Sequence, residues 1–455
     1  MTTLPPKHLL SKSTFMYGCQ CPKRLWLHKF MPQVRDEQDA ATTSIFQQGT
    51  DVGKLAQQLF PGGIDATPPS TFEYQQAVFN TAKYIEEGHS IIYEAAFQFE
   101  GIMCAVDILV KQENGWHAYE VKSSTQVKQV YEQDAALQYY VITNSGLLLE
   151  DFCLILLNTS YVRFGELDIE CLFHKPSISQ TIVALQTDIK IKEAELKEVL
   201  KLKHVPNVSV GAHCNTPYTC DFFGHCHTDV VYEEPDYGKA QIDKQALSAF
   251  VDMLAYPLYF LDFETYVTAV PLYDGHWSYR QIVFQYSLHI QQKAGGAITH
   301  CEYLADHVGT PMEVLLTQLI AELGNEGSVI VYNKGFENTR LKELKNDHPS
   351  YGKQIEAIQD RIIDLMVPFR RKEYYTPEML GRYSIKNVLP ALVPELSYDN
   401  LEIGNGTDAS SAFYNLQHET DPAIIENTRK HLLKYCEMDT WGMVEILKKL
   451  RKIIR

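Results

Sequence analysis

The chain has no long hydrophobic run, although 45% of its 455 residues are hydrophobic. The stretch that comes closest, 147–157, is interrupted by Glu150 and Asp151. It falls short of the about 18 apolar residues that span a bilayer. The N-terminus is polar and lacks the apolar core of an export signal. We therefore expect a globular protein of the cytoplasm, without a membrane partner.

Basic residues are fewer than acidic ones: 41 Lys and Arg face 57 Asp and Glu, which gives a net charge of −16. The imbalance is even along the chain, with 18 basic and 26 acidic residues in 1–232, and 23 and 31 in 233–455. Neither half has the basic surplus of a protein that coats nucleic acid. An enzyme whose acidic cluster is neutralised by metal ions stays compatible with this balance.

The sequence contains no internal repeat or low-complexity tract, and its length exceeds that of one ordinary hydrophobic core. The stretch 233–238, Glu-Glu-Pro-Asp-Tyr-Gly, has the composition of a linker. We therefore predict a first domain over 1–232, a linker over 233–248 and a second domain over 249–455.

Hydrophobic periodicity predicts α/β structure in both domains. In the first domain it predicts strands at 91–99, 103–111, 116–122 and 152–157, and helices at 14–29, 130–143 and 177–202. In the second it predicts strands at 258–263, 282–290 and 328–332, and helices at 311–323, 335–346 and 422–451.

Two acids two residues apart lie in the apolar run Tyr-Phe-Leu-Asp-Phe-Glu-Thr. On a strand of period 2, Asp262 and Glu264 point to the same face. Paired carboxylates repel each other unless a cation lies between them, and Mg²⁺ and Mn²⁺ prefer such oxygen ligands. Far downstream, Tyr435 and Asp439 are four residues apart and therefore share one face of a predicted helix.

The order acid-x-acid on a strand, then Tyr-x-x-x-Asp on a late helix, resembles the DEDDy exonucleases of the RNase H-like superfamily. The resemblance implies an RNase H-like mixed sheet flanked by helices and 3′→5′ removal of nucleotides. It implies two Mg²⁺ or Mn²⁺ ions held by Asp262, Glu264 and Asp439, and an attacking water held by Tyr435. The remaining acid of the family follows an Asn-x-x-Phe element, where this chain has Glu337, with Asp364 in reserve.

A second acidic set lies in the first half. Glu120 and Lys122 share a face of one predicted strand, and Asp107 lies on the preceding strand of the same hairpin. Two carboxylates that hold a metal and a lysine that steadies charge are what phosphodiester hydrolysis needs. The pattern resembles the PD-(D/E)XK nucleases, which implies a restriction-endonuclease-like core, with Glu94 as an additional acid.

Gln138 matches part of the Gln-x-x-x-Tyr element of RecB-like members, although Ile142 replaces the Tyr. That match implies a nucleic-acid contact by Gln138. Further nucleic-acid contacts are predicted at Lys23 and Arg24, in a segment that interleaves basic and aromatic residues.

Ten cysteines in a chain without an export signal are expected to be thiols or metal ligands rather than disulfides. Three of them, Cys214, Cys220 and Cys226, recur in one polar loop, and Cys21 lies far upstream with Cys19 as its competitor. Zinc is one reading of this set, with three histidines as alternative ligands: His213, His225 and His227.

One early cysteine in Cys-Pro-Lys-Arg-Leu-Trp and three late ones, around an Asp…Glu-x-Lys core, resemble the iron–sulfur nucleases of the RecB family. The resemblance implies a structural 4Fe–4S cluster on Cys21, Cys214, Cys220 and Cys226. Taken whole, the chain resembles a bacterial family that joins such a nuclease to a DEDD-type exonuclease half.

We therefore expect a metal-dependent nuclease with two sites that acts on nucleic acid, with DNA, single-stranded above all, favoured over RNA. Two alternatives stay open. In one, the first half is a non-catalytic clamp that presents nucleic acid to the exonuclease. In the other, the chain is a metal-bound interaction or redox protein whose acidic sites are vestigial.

Overall fold

The computed structural model describes residues 7–37, 40–68, 70, 73–228 and 236–455. Within them the chain forms two compact units, each with mixed α/β structure as predicted. One unit comprises the described residues up to 228 together with 269–278, and the other comprises 236–268 and 279–455. The predicted linker lies partly outside the described residues, and its last part forms the first elements of the second unit.

The first unit contains seven strands: β1 (Leu10–Ser11), β2 (Ile64–Asp65), β3 (Ile91–Phe99), β4 (Ile102–Lys111), β5 (Trp116–Lys122), β6 (Leu149–Leu157) and β7 (Phe173–His174). Its helices are α1 (Lys12–Gln20), α2 (Pro22–Phe30), α3 (Ala40–Gln57), α4 (Tyr74–Glu86), α5 (Gln129–Asn144), α6 (Ile169–Leu172), α7 (Ser179–Ala184), α8 (Gln186–Val199) and α9 (Phe223–His227).

These strands form one sheet in the order β2-β3-β4-β5-β6-β7, with β1 beside β4. The consecutive strands β3, β4 and β5 are antiparallel, and β6 runs parallel to β5 after the crossover through α5. The predicted strands and the predicted helix at 130–143 are confirmed. Apolar residues of α5, among them Ala135, Leu137 and Val141, are fully buried in the core that this sheet forms.

Two helices predicted as continuous are each broken in two. The predicted helix at 177–202 is α7 and α8, divided at Leu185, where the Gln186 side chain donates hydrogen bonds to the carbonyls of Ile182 and Ala136. The predicted helix at 14–29 is α1 and α2, divided at Cys21, whose backbone is extended. Pro22 explains this second break, because a residue before proline avoids the helical region and proline favours the first position of a helix.

The second unit contains seven strands: β8 (Gln241–Ile242), β9 (Leu258–Val267), β10 (Gln281–Gln291), β11 (Ile298–Leu304), β12 (Ser328–Val331), β13 (Ile362–Asp364) and β14 (Tyr374–Tyr375). Its helices are α10 (Lys244–Asp252), α11 (Met312–Leu323), α12 (Lys334–Asp347), α13 (Gly352–Gln359), α14 (Val367–Arg370), α15 (Ile385–Leu392), α16 (Gly406–Asn415) and α17 (Pro422–Ile454).

The main sheet of this unit has the order β11-β10-β9-β12-β13. The central strand β9 is antiparallel to β10 and parallel to β12, so the sheet is mixed. Its first residues, Leu258 to Leu261, are buried on both faces, as expected for a strand in the middle of a covered sheet. The predicted strands and helices of this half are confirmed, whereas β11 and β13 were not predicted.

The last helix, α17, is 33 residues long and packs against β9 and β10. Asp421 caps its N-terminus by accepting a hydrogen bond from the Ala423 N–H, and Pro422 occupies its first position. The helix carries Tyr435 and Asp439 on its buried face. No helix in the described part of the chain combines the length and apolar character needed to cross a bilayer.

Candidate metal and catalytic sites

The acid pair of the second unit lies on β9 as the alternation predicts. One oxygen of Asp262, one of Glu264 and the Sγ of Cys436 all lie within 4.8 Å of one another. The register of β10 against β9 shifts between Val283 and Gln285, the latter opposite Glu264. A bulge of this kind re-aims side chains locally. Cys436, on α17, is a member of the site that the sequence did not single out.

Glu337 joins this pair from the first turn of α12. Its side chain is 1% exposed, it accepts a hydrogen bond from the Phe263 N–H, and it feels the charges of Asp262 and Glu264. Its Oε2 is buried and has no hydrogen-bond partner among the described residues. The longer Glu therefore reaches the acid pair and leaves one oxygen available to a cation.

Asp364, the reserve candidate, has a different task at the end of β13. Its Oδ1 accepts hydrogen bonds from the N–H of Asn333 at 3.2 Å and from the N–H of Met366 at 3.0 Å. The first of these bonds ties the end of β13 to the turn before α12, in which Asn333 has a left-handed backbone with φ 107°. The structure therefore brings Glu337, rather than Asp364, to the acids of β9.

Asp439 completes the cluster from α17. Its Oδ1 accepts a hydrogen bond of 2.6 Å from the Tyr398 hydroxyl, and the Tyr435 hydroxyl also donates to this carboxylate. The ammonium group of Lys386 lies 5.6 Å from the centre of the Tyr398 ring and 5.2 Å from that of Tyr435. No periodic pattern marks Tyr398, which lies between α15 and α16, so sequence reasoning did not find it.

Burial raises the pKa of every carboxyl group in this cluster, and repulsion by neighbouring carboxylates raises those of Asp262, Glu264 and Glu337 further. The pKa of Asp262, Glu264 and Glu337 lies well above the usual range, and that of Asp439 is raised to about 6, mainly by burial. Lys386 and Arg340 oppose the shifts only in part. Four acids therefore meet two nearby cations, and the excess of carboxylate oxygen is the ligand set of a hard divalent ion.

The acidic set of the first unit is assembled around the β4–β5 hairpin. Asp107 accepts a hydrogen bond of 2.6 Å from the Val121 N–H. Lys122 donates to Glu120 Oε1 at 2.8 Å and to Asp134 Oδ2 at 2.5 Å. The structure thus brings the three predicted residues of this half together and adds Asp134 from α5.

Lys12 is a second addition, which sequence reasoning did not place at this site. As the first residue of α1 it follows β1, and the pairing of β1 with β4 carries it to the acids. Its Nζ lies 2.6 Å from Glu120 Oε1 and 3.8 Å from Asp134 Oδ2. The contact joins residues 108 positions apart in the chain, a separation that no local pattern signals.

The two lysines make the charge balance of this set different from that of the second unit. Burial alone would raise the pKa of Glu120, but Lys12 and Lys122 hold it at about 2. Burial and repulsion by Glu120 raise the pKa of Asp107 well above its usual range and that of Glu94 to about 7. Glu120 Oε2 is buried without a hydrogen-bond partner in the described ranges, so one oxygen stays free for a cation.

Gln138, the predicted nucleic-acid contact, lies next to the acidic set. Its side chain is fully buried, and its amide lies 3.4 Å from Asp134 Oδ1. The predicted contact with nucleic acid stays a prediction. Gln138 supports Asp134, which in turn binds Lys122.

The four predicted cysteines line one cavity of the first unit, formed by α2 and the loop around α9. The extended backbone before Pro22 presents Cys21 to it. The Cys220 N–H donates to the Cys214 carbonyl at 2.8 Å, which closes the loop between them, and Cys226 follows on α9. All ten cysteines of the chain are free thiols in the structure, and burial raises the pKa of Cys220 to about 11.

The spacing of the sulfur atoms bears on which group the cavity fits. In a tetrahedral zinc site with Zn–S bonds of about 2.3 Å, the sulfurs lie about 3.8 Å apart. Around this cavity no three donor atoms of described His, Cys, Asp or Glu residues lie within 4.8 Å of one another. His213 Nε2 lies 3.7 Å from the sulfur of Cys214, while His227 bonds the Phe223 carbonyl through Nδ1.

Lys23 and Arg24 also belong to this cavity. The Arg24 Nε donates to Asp221 Oδ1 at 2.7 Å, and its guanidinium lies 3.9 Å from the centre of the Tyr17 ring. Lys23 forms a hydrogen bond with the thiol of Cys226. Arg24 is thus engaged in an ion pair and Lys23 faces the thiols, and the nucleic-acid contacts expected of these two residues stay predictions.

Comparison with known proteins adds a family match that lies mainly in the second unit. Residues 259–384 match the Domain of unknown function DUF2779. The chain is 28% identical over 240 residues to the uncharacterized protein UU173 of Ureaplasma parvum, covering 47% of this chain and 34% of that protein. It is 29% identical over 209 residues to the uncharacterized MG366 homolog of Mycoplasma pneumoniae, covering 41% and 31%. The matches span about a third of these relatives.

The raised pKa values make metal-free stability depend on pH. The folded state holds protons on Asp262, Glu264, Glu337 and Asp439 that the unfolded chain releases. The resulting stabilisation is complete below about pH 4 and is lost as pH rises through the folded-state pKa values, that of Asp439 being about 6. We expect the melting temperature in EDTA to fall between about pH 5 and about pH 8.

Thermal melting across this pH range tests the expectation. Adding Mn²⁺ at the upper end should restore the melting temperature, since ions that bind only the folded state stabilise it. Asp262→Asn should flatten the pH dependence, whereas Asp306→Asn, at a side chain 88% exposed, should leave it unchanged. A melting temperature insensitive to both pH and Mn²⁺ would contradict this account.

Proposed function

We propose that the second unit is a divalent-metal-dependent 3′→5′ exonuclease. The observation that carries the proposal is the convergence of four carboxylates, three buried and that of Asp262 half-buried, from β9, α12 and α17, with too few cations to neutralise them. The central strand with antiparallel neighbours on one side and parallel ones on the other supports an RNase H-like sheet.

The proposed roles follow from the contacts. Asp262, Glu264, Glu337 and Asp439 hold two Mg²⁺ or Mn²⁺ ions, which supply charge neutralisation at the attacking and leaving oxygens of a phosphodiester. The Tyr435 hydroxyl, beside the Asp439 carboxylate, orients the attacking water. Tyr398 fixes the Asp439 carboxylate through its hydrogen bond of 2.6 Å.

Lys386 is the cation in this proposal. It attracts Asp262, Glu264 and Asp439, and it lies over the rings of Tyr398 and Tyr435. With divalent ions bound by the carboxylates, the Lys386 ammonium would be available to bind the phosphate of the substrate. The substrate class is nucleic acid, with single-stranded DNA proposed ahead of RNA, in a cytoplasmic setting.

A cleavage assay tests the exonuclease. With 5′-labelled single-stranded DNA or RNA and Mg²⁺ or Mn²⁺, the wild type should give a ladder shortened from the 3′ end. Asp262→Asn should slow it by at least about 10²-fold through lost charge stabilisation. Tyr435→Phe, which removes only a hydroxyl, should slow it by about 10²-fold or more while Mn²⁺ binding persists.

The exposed Asp306 provides the matched control, because Asp306→Asn makes the same chemical change at a solvent-exposed side chain. It should retain the wild-type rate. If the wild type cleaves neither DNA nor RNA with either ion, the catalytic proposal fails for these substrates, and a binding protein with vestigial sites takes its place.

We propose a second, PD-(D/E)XK nuclease site in the first unit. Asp107 and Glu120 hold a divalent ion, whose chemistry is to polarise the phosphodiester, and Lys122 steadies the developing charge. The β3–β4–β5 meander followed by parallel β6 and α5 supports a restriction-endonuclease-like core. One observation favours the alternative of a non-catalytic clamp: Lys12 and Lys122 both occupy Glu120 Oε1.

The two readings differ in the products that Asp262→Asn still makes. If the first unit is a nuclease, that variant retains a distinct cleavage product, which disappears when Glu120→Gln or Lys122→Ala is added. Glu113→Gln, in the exposed turn between β4 and β5, serves as the control and should keep the product. Absence of any residual product in Asp262→Asn would instead support the clamp.

We propose that Cys21, Cys214, Cys220 and Cys226 bind a structural 4Fe–4S cluster, with zinc as the alternative. The four cysteines share one cavity, and the nearby side chains of Lys23 and Arg24 supply positive charge that offsets the thiolates. A cluster there would join α2, near the start of the chain, to the loop around α9. Its contribution would be to the stability of the first unit.

Anaerobically purified protein should be coloured and contain iron. Cys214→Ser should lose the visible absorbance and lower the melting temperature by about 5 °C or more, as expected when about 2 kcal/mol is removed from a unit of this size. The exposed Cys171 gives the control, since Cys171→Ser should preserve both properties. If the protein is colourless and contains stoichiometric zinc, the four cysteines bind zinc rather than a 4Fe–4S cluster.

A further inference from the structure

A second group of metal-ligand side chains lies in the second unit, outside the four-carboxylate cluster. It consists of His289 on β10, His300 on β11 and Glu437 on α17, each with one donor atom within 4.8 Å of the others. His289 and His300 are directly paired across the antiparallel strands. Their rings stack with centroids 4.4 Å apart. Two imidazoles and a carboxylate thus meet where the sheet packs under α17.

A chain of hydrogen bonds links both histidines to Thr440, and one assignment of the ring protons satisfies all of its members. The Glu437 carbonyl can only accept, so the Thr440 hydroxyl donates to it at 3.1 Å. Thr440 Oγ1 must then accept from the Ser287 hydroxyl at 2.7 Å and from His289 Nδ1 at 2.8 Å. Because the Ser287 proton is used, the bond of 2.9 Å to His300 must be donated by His300 Nε2.

Both histidines are thereby left with a lone pair on the other nitrogen, Nε2 of His289 and Nδ1 of His300. This is the arrangement of metal-binding histidines, whose second nitrogen donates a hydrogen bond that fixes the tautomer. His300 Nδ1 lies 3.9 Å from Glu437 Oε1, too far for a hydrogen bond between them. The gap between these two atoms is one that a shared ion would bridge.

We propose that His289, His300 and Glu437 form a binding site for a transition-metal dication of the Zn²⁺ class. Two imidazole nitrogens and one carboxylate are typical ligands for such an ion, whereas Mg²⁺ prefers an all-oxygen set. The site is therefore chemically distinct from the four-carboxylate cluster. The Glu437 side chain is 49% exposed and that of His300 23%, so ions enter from solvent and water completes the coordination.

The location gives the site a positioning role. Glu437 lies between Tyr435 and Asp439 on α17, and a bound ion would join this turn of the helix to β10 and β11. Ser287, which holds His300, is also the register partner of Asp262 on β9. Metal binding at the histidines would thus steady the helix that carries two residues of the proposed exonuclease site. The metal-binding proposal itself does not depend on that function.

Titration of the full chain with Zn²⁺, and with Co²⁺ as a coloured probe, tests the site. Excess Mg²⁺ occupies the carboxylate cluster, and Co²⁺ bound by the cysteines is recognised by intense thiolate charge-transfer bands. Beyond the metal bound by the cysteines, the wild type should bind one further equivalent of Co²⁺. This equivalent should show the weak visible bands that are typical of nitrogen and oxygen ligands. His300→Gln and Glu437→Gln should each lower the affinity for that equivalent by more than about 10-fold.

Ser287→Ala removes the partner of His300 Nε2, together with the hydrogen bond to Thr440, and should weaken binding of the same equivalent by about 10- to 100-fold. The matched control is Glu426→Gln on the same helix, whose side chain is 65% exposed and which should bind as the wild type does. Since Glu437 is also exposed, Glu437→Gln should fold normally. Unchanged Co²⁺ binding in both Glu437→Gln and His300→Gln would overturn the proposal.

Discussion

Repulsion between buried carboxylates is the constraint on which the second unit depends. The apolar strand β9 must lie in the middle of the sheet, yet it carries Asp262 and Glu264 on the face that α17 covers. Burial raises the pKa of both acids, and Glu337 and Asp439 add to the repulsion. Without cations, this arrangement of carboxylates lowers the stability of the fold. It persists because the rest of the unit determines it, through the β-sheet register, the turn before α12 and the packing of the 33-residue helix α17.

In the first unit, lysine side chains of the protein itself balance the clustered carboxylates. Lys12 and Lys122 both bind Glu120, so the pKa of Glu120 is held at about 2 while that of the nearby Glu94 is raised to about 7. A lysine compensates a carboxylate permanently, whereas an ion can be exchanged and can bring a substrate phosphate with it. This contrast explains why the acids of the second unit carry the functional proposal, while those of the first unit are compatible with either a nuclease or a clamp.

The sequence was most informative where the residues of a site lie at short, regular spacing along the chain. The two-residue period predicted the shared face of Asp262 and Glu264, and it predicted the strands of both sheets. It could not predict Lys12 or Tyr398, because each reaches its site through contacts between distant segments. The burial of Gln138 could not be predicted either, since composition alone does not show which face of a helix is covered. Backbone breaks at Cys21 and Leu185 divided two helices that periodicity alone predicts as continuous.

The central claim is that the four carboxylates of the second unit hold divalent ions, and the most direct measurement is a crystal structure of the protein grown with Mn²⁺. Anomalous scattering locates Mn²⁺ without reference to activity. The account predicts two peaks bounded by Asp262, Glu264, Glu337 and Asp439, with one of them in contact with the free Oε2 of Glu337. A map without anomalous density among these residues, at a pH where all four are ionised, would contradict it.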